Sequence, residues 1–279
     1  MNTPGTPTEP DLISCLTCGV EYGTDVSALP AVCPICADER QYVPASGQQW
    51  TTQAELAGRT EVRIAELGSG QWGVTAAGVG IGQTMQVLRT AAGTLLWDPI
   101  GLVESAAVEF VRSLGPVLAI VPSHPHMYGA QVAWSRALGG VPVLVNTADD
   151  EWVQRRDPAL TAWSGEHRIA DELTMYTLGG HFPGSAVAHR TSGDGVVLAG
   201  DTIMANPDRR TVSFERSYPN RIPLSGAVVA RMARTIAPLR FGQLWSNFGN
   251  AITSDADAAV QRSAERHVQW VKGTFDALT

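Results

Sequence analysis

Two histidines, His124 and His126, alternate in the stretch VPSHPHMYG, directly after an apolar run. Alternate residues of an extended segment point to the same side, so both imidazoles can reach one metal ion. Two later stretches can supply partners, since LGGHFPGS carries His181 in a turn and VVLAGDTI carries Asp201 just past an apolar strand. Taken singly, each of these residues is more often a structural turn residue. Together, three imidazoles and one carboxylate form a ligand set that suits zinc, iron or manganese.

All four cysteines of the chain lie in two Cys-x-x-Cys turns, CLTC and CPIC, at Cys15, Cys18, Cys33 and Cys36. Each turn can place two thiolates on one ion, and two turns complete a tetrahedron. Disulfides and free thiols are the alternatives. A secreted disulfide protein would usually spread its bridges through the fold, so the clustering favours a metal.

The two cysteine turns resemble the knuckles of rubredoxin, which holds one iron. The intervening loop is much shorter than in rubredoxins, and Ala37 stands where a glycine is usual. We therefore expect structural zinc rather than iron. A segment this small has little core, so the ion would supply most of its folding free energy.

From Glu61 onward, strand-like and helix-like segments alternate. Apolar runs such as VLAIVP and VPVLVN predict strands, whereas LVESAAVEFVRSL and LSGAVVARMARTIAPL have helical spacing. Both halves run from strands into helices, which predicts two sheets packed face to face with helices outside. We divide the chain into an N-terminal arm with the four-cysteine knuckle (1–50) and a body (51–279). Residues 1–12 are expected to be disordered, and PASGQQWTT is predicted to be a linker.

The composition excludes several classes of protein. A net charge of −7 argues against binding to nucleic acid, which usually needs a basic face. The sequence has neither an apolar run long enough to span a bilayer nor the basic and apolar start of a signal peptide. We expect a cytoplasmic protein that acts on a small molecule, and the sequence leaves a homodimer open.

A glycine motif, ELGSGQWG, matches the G-x-G-x-x-G spacing of dinucleotide-binding proteins at Gly68, Gly70 and Gly73. That motif works only where a helix begins next to the pyrophosphate. The following residues, VTAAGVGIGQT, are rich in glycine and disfavour a helix. We expect a loop and a strand here, without a nucleotide.

These motifs resemble those of the metallo-β-lactamase superfamily. That family carries an H-x-H-x-D-H loop after a buried strand, then a histidine in a GHTPGS-like turn and an aspartate after a later strand. This chain has SHPHMYG, GGHFPGS and LAGDTI in the same order. LLWDPIG resembles an upstream strand of the family, which implies a structural role for Asp98. The resemblance covers about residues 60–279. It implies an α/β fold, the αββα metallo-β-lactamase sandwich, with the small cysteine segment added at its N-terminus.

The family's ligands carry over only in part. The resemblance implies that His124, His126 and His181 hold the first ion, with Asp201 as the carboxylate ligand. The second-site aspartate and histidine are replaced by Tyr128 and Gly129.

The family's last histidine should fall near LWSNFGNAI, which offers Asn247 and Asn250 instead. A neutral amide is a poor ligand for zinc. The resemblance therefore implies one active-site ion, either zinc or iron.

The leading hypothesis is a single-metal hydrolase that cleaves an ester, thioester, lactone or similar acyl bond through activated water. Asp201 would ligate or act as general base, and the Tyr128 phenol would donate to a developing oxyanion or only pack over the site. Arg216 and Tyr218, in the long loop after Asp201, are candidates for binding an anionic substrate. The superfamily also includes persulfide dioxygenases with one iron, which gives an oxidoreductase as the second hypothesis. A binding protein that has lost turnover is the third.

Overall fold

The computed structural model describes residues 11–68 and 70–279. Most of the arm predicted over residues 1–12 lies outside these residues. The strands are β1 (Ile13–Cys15), β2 (Trp50–Thr52), β3 (Val62–Gly68), β4 (Gln71–Ala76), β5 (Met85–Arg89), β6 (Thr94–Trp97), β7 (Val117–Val121), β8 (Val143–Asn146), β9 (Leu160–Trp163), β10 (Glu166–Ala170), β11 (Leu173–Thr177), β12 (Ala186–Arg190), β13 (Val196–Leu198), β14 (Met204–Ala205), β15 (Val212–Ser213), β16 (Glu215–Ser217), β17 (Ile222–Pro223), β18 (Gln243–Trp245) and β19 (Ala251–Ile252).

The helices are α1 (Pro34–Ala37), α2 (Gln53–Ala57), α3 (Ser105–Ser113), α4 (Gln131–Ala137), α5 (Gly226–Ile236) and α6 (Ala256–Val271). Short 3-10 turns cover Pro125–Met127, Thr147–Trp152 and Asp276–Leu278. Across residues 11–68 and 70–279, no helix combines the length and the apolar character that crossing a bilayer requires.

The first large sheet has seven strands in the order β3-β4-β5-β6-β7-β8-β9. Strands β3 to β6 are antiparallel neighbours, whereas β6 to β9 run parallel. Parallel neighbours need crossover connections, and α3 and α4 provide two of them. The carboxyl ends of β6 and β7 therefore meet at one edge, where Asp98 and His124 follow them.

The second large sheet has six strands in the order β10-β11-β12-β13-β18-β19. Strands β10 to β13 are antiparallel, and β13 pairs with β18 in parallel. His181 lies in the turn after β11, Asp201 follows β13, and Asn247 follows β18. All three positions are chain segments just beyond strand ends, where side chains are free to face a site.

The two sheets pack face to face. Leu95, Trp97 and Val121 of the first sheet share one buried core with Met175 and Leu198 of the second. Apolar residues of α3 and α4 cover the outer face of the first sheet, and α5 and α6 cover that of the second. The predicted αββα sandwich is confirmed in this layer order.

The glycine motif forms a hairpin turn between β3 and β4. Gly73 lies inside β4, opposite Ala65 of β3, so no helix begins here. The prediction of loop and strand is confirmed. The glycines serve the turn, since Gly68 and Gly70 have φ of 91° and 70° in the left-handed region.

The N-terminal segment adds a small two-stranded sheet, in which β1 pairs antiparallel with β2. The linker predicted over PASGQQWTT is therefore wrong for its last three residues, because Trp50–Thr52 form a strand. Trp50 and the two threonines have high strand propensity, and the backbone of β1 gives them a partner. The division of the chain at residue 50 stays a prediction.

The cysteine segment packs directly on the body. Its four cysteines and Ile35 belong to the same buried core as Tyr128 and Trp134. Glu21 also reaches the body, since its backbone N–H donates to the Gly129 carbonyl at 3.0 Å. The segment is thus joined to the loop that follows His124 and His126.

Candidate metal centres

The four residues predicted to hold an ion come together at the carboxyl edges of the two sheets. One potential ligand atom each from His124, His126, His181 and Asp201 lies within 4.8 Å of the others. The three histidines are each 1% exposed and Asp201 is 4% exposed. The His126 Nδ1 and His181 Nε2 atoms are 3.2 Å apart. Two nitrogens at about 2.05 Å from one tetrahedral ion would be separated by about 3.3 Å, so this spacing suits a shared ion.

Hydrogen bonds outside the cluster fix two of the rings. The His181 Nδ1 atom lies 3.1 Å from the Glu215 carbonyl, which can only accept, so this nitrogen carries the proton and Nε2 presents its lone pair. The Ser123 hydroxyl donates to Asp98 Oδ2 at 3.0 Å and lies 2.8 Å from His124 Nδ1. His124 Nδ1 then donates to that hydroxyl, which leaves its Nε2 free as a ligand. Such outer contacts orient metal-binding histidines in general.

Burial keeps the imidazoles in the neutral form that binds metals. Burial, with the neighbouring imidazoles and the Arg40 guanidinium, holds the pKa of His124 and of His126 well below the ordinary value. Burial likewise lowers the pKa of His181 to about 4. Burial and then the nearby Asp98 raise the pKa of Asp201 to about 8 when no cation is present. A cation among these groups would reverse that shift.

Unpaired polar atoms in the cluster match the needs of a metal ion. Among the described residues, His124 Nε2 and Asp201 Oδ1 are buried without a hydrogen-bond partner. The other oxygen of Asp201, Oδ2, lies 3.7 Å from His124 Nε2. Leaving such atoms buried and unpaired is costly, on the order of 1–3 kcal/mol for each group. The donor set and these atoms therefore fit a bound zinc or iron.

Two residues that stand where the sequence resemblance implies ligands of a second ion have other structural tasks. Gly129 has φ of 48°, and a Cβ there would lie 2.0 Å from the Pro99 carbonyl oxygen, so no histidine fits. Asn247 is fully buried and donates its amide to Asp98 Oδ2 at 2.5 Å. Within the described residues, these contacts leave one candidate ion site at this edge.

Tyr128 is 2% exposed, and its hydroxyl donates to the Asp149 carbonyl at 2.8 Å. The only proton of the phenol is thus donated to a backbone carbonyl. This contact does not support the predicted catalytic role of Tyr128. It agrees with the alternative that the residue packs beside the site.

The two residues predicted to bind substrate differ in their surroundings. Arg216 is partly exposed and its Nε pairs with Glu39 Oε1 at 2.5 Å. The Tyr218 ring centre lies 5.9 Å from that of His181. Its hydroxyl lies 3.1 Å from the Asp201 carbonyl and 3.2 Å from the Ser213 carbonyl, so it supports the backbone of a ligand. Substrate binding by either residue stays a prediction.

One residue at the site has no counterpart among the sequence predictions. Arg40 comes from the cysteine segment, is 8% exposed, and donates from Nε to the His181 carbonyl at 2.8 Å. Its guanidinium carbon lies 4.1 Å from the centre of the Phe182 ring. The contact joins residues that are 141 positions apart, and a single arginine in DERQYV carries no local signal for it.

The four cysteines form the second candidate metal centre. Their sulfur atoms all lie within 4.8 Å of one another, and each residue is at most 1% exposed. Cys15 Sγ is 3.7 Å from Cys36 Sγ, and Cys18 Sγ is 3.8 Å from Cys33 Sγ. All four are free cysteines, too far apart for a disulfide. Sulfurs about 3.8 Å apart match a tetrahedral ion with metal–sulfur distances of about 2.3 Å.

Solved structures of metallo-β-lactamases share this fold. DIM-1 metallo-β-lactamase superposes with a TM-score of 0.56 at 15% identity, over 74% of this chain and 98% of that one. The enzyme from Erythrobacter litoralis gives 0.54 at 18% identity, over 74% and 97%. FIM-1 from Pseudomonas aeruginosa, in a mono-zinc form, gives 0.54 at 14% identity, over 74% and 96%. About a quarter of this chain has no counterpart in these structures, which agrees with a segment added to the common sandwich.

The sandwich together with the histidine and cysteine clusters defines a metallo-β-lactamase-fold protein with an added four-cysteine segment. No protein-family model matches the sequence. A protein of Bacillus subtilis (strain 168), described as uncharacterized protein YmaE, is 37% identical over 262 residues, which cover 91% of this chain and 95% of that protein. The chain belongs to the same family as YmaE.

Proposed function

We propose that this protein is a hydrolase with a single active-site metal ion, which cleaves an ester, thioester or lactone bond of a small molecule. The observation that carries the proposal is the convergence of three neutral imidazoles and one carboxylate within 4.8 Å. The sequence resemblance implies a single ion, since Tyr128, Gly129 and Asn247 stand where it would place ligands of a second one. The FIM-1 metallo-β-lactamase in its mono-zinc form has the same fold.

A bound zinc or iron would supply Lewis acidity and lower the pKa of water to near neutrality. The chain's own residues prepare the site for it. Ser123 and Glu215 hold two imidazoles in the tautomer that presents Nε2. The burial of all four side chains excludes bulk water, which strengthens every electrostatic interaction inside.

Asp201 has two roles open to it in this chemistry. Its Oδ1 is buried without a partner among the described residues, and its carbonyl is held by the Tyr218 hydroxyl. With one oxygen near His124 Nε2, the carboxylate either joins the ligand set or accepts the proton of an attacking water. Both roles need Asp201 ionised, which a cation among the imidazoles favours.

Metal analysis and a variant pair test the proposal. Purified protein is expected to hold one ion in the cysteine cluster and one in the histidine cluster, and to hydrolyse members of a panel of acyl esters, thioesters and lactones. His126→Ala should lose the ion of the histidine cluster and reduce kcat/KM by at least a hundredfold. His167→Ala, on strand β10 and outside the cluster, is the matched control and should keep that ion and the wild-type kcat/KM. Equal rates in wild type and His126→Ala would reject the proposal. Iron in the histidine cluster with oxygen uptake on a persulfide would replace it by the dioxygenase.

A further inference from the structure

The segment that leaves the cysteine cluster lies against the turn that carries His181. Arg40 is the fourth residue after Cys36, and its Nε donates to the His181 carbonyl at 2.8 Å. Asp38 fixes the arginine, because its Oδ1 accepts from Arg40 Nη1 at 2.8 Å and from the Arg40 backbone N–H at 2.9 Å. Arg40 is 8% exposed, so solvent competes little for these bonds.

The same segment is attached to the strand that orients the His181 ring. Ser217 of β16 donates its hydroxyl to the Arg40 carbonyl at 3.0 Å, and Asn220 donates its amide to the Glu39 carbonyl at 2.7 Å. Glu215, at the start of β16, provides the carbonyl that accepts from His181 Nδ1. The segment therefore holds both the backbone of His181 and the strand that sets its tautomer.

Phe182 provides a third connection between Arg40 and the histidine cluster. The Arg40 guanidinium stacks on this ring at 4.1 Å. Phe182 also contacts the candidate ligands, with ring-centre distances of 5.7 Å to His124 and 4.9 Å to His126. Displacement of Arg40 would remove one of the contacts that fix this ring beside the imidazoles.

The cysteine segment also forms hydrogen bonds to the start of helix α4, which follows the loop of the other two histidines. The Glu21 carboxylate accepts from the backbone N–H groups of Val132 and Ala133, at the start of α4. Arg155 Nη1 pairs with the same carboxylate at 2.7 Å. A carboxylate on the first turn of a helix is stabilised by the helix dipole. Both ligand-bearing loops are thus fastened to residues 15–41.

We infer that Arg40 is a positioning residue of the histidine cluster and that the ion of the four cysteines, through the segment it folds, sets the affinity of that cluster for its own metal. The inference rests on the proposed function, since it requires an ion at the histidines. It assigns the cysteine segment a part in the active site rather than that of a separate structural module. Outer-shell contacts of this kind typically change metal affinity by about 10- to 100-fold.

The test uses cobalt(II) as the probe in the full-length protein. Thiolate ligands give near-ultraviolet charge-transfer bands that report on the cysteine cluster alone. Both clusters give visible ligand-field bands, so the histidine cluster is titrated with cobalt in protein whose cysteine cluster already holds zinc, which has no such bands. Arg40→Gln should weaken cobalt binding at the histidine cluster by about tenfold and shift its visible spectrum, while the thiolate bands are unchanged. Arg40→Lys, which keeps a charged donor, should recover part of the affinity. Arg168→Gln is the control, because this exposed arginine pairs with residues of its own hairpin.

A second variant addresses the role of the cysteine ion. Cys33→Ser should weaken cobalt binding at the histidines to a similar extent, and adding Arg40→Gln should cause little further loss, since both changes act through the same contact. Equal histidine-cluster affinity in wild type and Arg40→Gln would overturn the inference and leave the proposed function standing. Absence of cobalt from the wild-type histidines would overturn both. Loss of the thiolate bands in Arg40→Gln would also overturn the inference, because the arginine would then act by folding the cysteine cluster.

Discussion

The side-chain amide of Asn247 donates a hydrogen bond to Asp98 Oδ2 at 2.5 Å, across 149 residues of sequence. Asp98 also accepts from the Ser123 backbone N–H at 2.5 Å and from the Ser123 hydroxyl, which meets His124 Nδ1. Amide, carboxylate, hydroxyl and imidazole therefore form one buried chain. Asn247 is thus connected through this chain to His124 of the candidate ion site.

Replacement of Asn247 by leucine tests this chain of hydrogen bonds. The variant leaves Asp98 Oδ2 without its amide donor, which should lower the free energy of unfolding by about 2 kcal/mol. It should also weaken metal binding at the histidines by about tenfold, because the orientation of His124 is relaxed. Asn250→Ala is the control from the same loop. Denaturant unfolding and metal titration measure the effects, and an unchanged metal affinity would count against a role for the chain at the site.

Gly129 is expected to tolerate no side chain. A Cβ at this position would lie 2.0 Å from the Pro99 carbonyl oxygen, and its φ is 48°. Gly129→Ala should therefore destabilise the protein by about 2–4 kcal/mol, combining strain and overpacking. Gly140→Ala is the matched control, since φ is 87° there but no atom of the described residues lies within 4 Å of its Cβ, and about 1 kcal/mol is expected. Similar losses in the two variants, measured in urea, would show that the contact with Pro99 matters little.

The two tyrosines beside the cluster should respond differently to loss of their hydroxyls. Tyr128→Phe removes a bond to the Asp149 carbonyl, so stability should fall by about 1 kcal/mol with kcat unchanged. Tyr218→Phe removes the hydroxyl that supports the Asp201 carbonyl, so metal affinity should fall as well. Each variant serves as the control for the other. A large loss of kcat in Tyr128→Phe at full metal occupancy would restore the phenol as a catalytic donor.

Asp149 makes stability depend on pH in an unusual direction. Burial raises its pKa to about 6, although the Gly184 backbone N–H donates to its Oδ1 at 2.9 Å. The folded state therefore holds the proton more tightly than the unfolded chain, where the pKa is near 3.8. Protonated Asp149 adds on the order of 2–3 kcal/mol to the free energy of unfolding. This stabilisation is fully present below pH 4 and is lost as the pH rises through 6.

Asp149→Asn keeps an oxygen for the Gly184 N–H and removes the titration. Subtracting its unfolding free energies from those of wild type, between pH 4 and pH 8, isolates this one group. The difference should fall with rising pH up to about 6 and then level off. A difference that does not vary with pH would mean that Asp149 titrates alike in both states.

Removal of the ion from the cysteines should loosen more than the cysteine segment. Amide exchange is expected to quicken at bonds within the segment, such as the Cys15 N–H to the Val20 carbonyl and the Ala37 N–H to the Cys33 carbonyl. It should also quicken at Val132 and Ala133, whose N–H groups are held by Glu21. The paired strands β11 and β12 should stay protected and serve as the internal control. If metal removal quickens exchange only within residues 13–41, the cysteine segment loosens without affecting the body.

The sandwich and both clusters could be predicted because their signals are local in sequence. Apolar runs mark the strands, and the CLTC and CPIC turns mark a metal knuckle without reference to the rest of the chain. The alternation of His124 and His126 likewise follows from strand geometry. His181 and Asp201 could be proposed as partners because each lies in a turn beside a predicted strand. The family resemblance strengthened this assignment, since a single ligand in a turn is by itself a weak signal.

The parts that escaped prediction depend on contacts between distant residues. Strand β2 directly follows the linker-like residues 44–49 and, within the described residues, finds its only strand partner in β1, about 35 residues earlier in the chain. Arg40 and Glu21 look like ordinary charged residues, and their roles arise from partners 141 and 111 positions away. The amide of Asn247 could be recognised as a poor ligand, but its partner Asp98 follows a strand of the other sheet.

The position of the cysteine segment has a consequence for the order of assembly on the ribosome. All four cysteines and both strands of the small sheet lie within residues 13–52, ahead of every strand of the two large sheets, so this unit can close around an ion before the sandwich is made. At about 5–20 residues per second, the 141 residues between Arg40 and His181 take roughly 7–28 s to make. The arginine is therefore in the nascent protein long before its acceptor emerges, and the late-made histidine turn docks onto a surface that already exists.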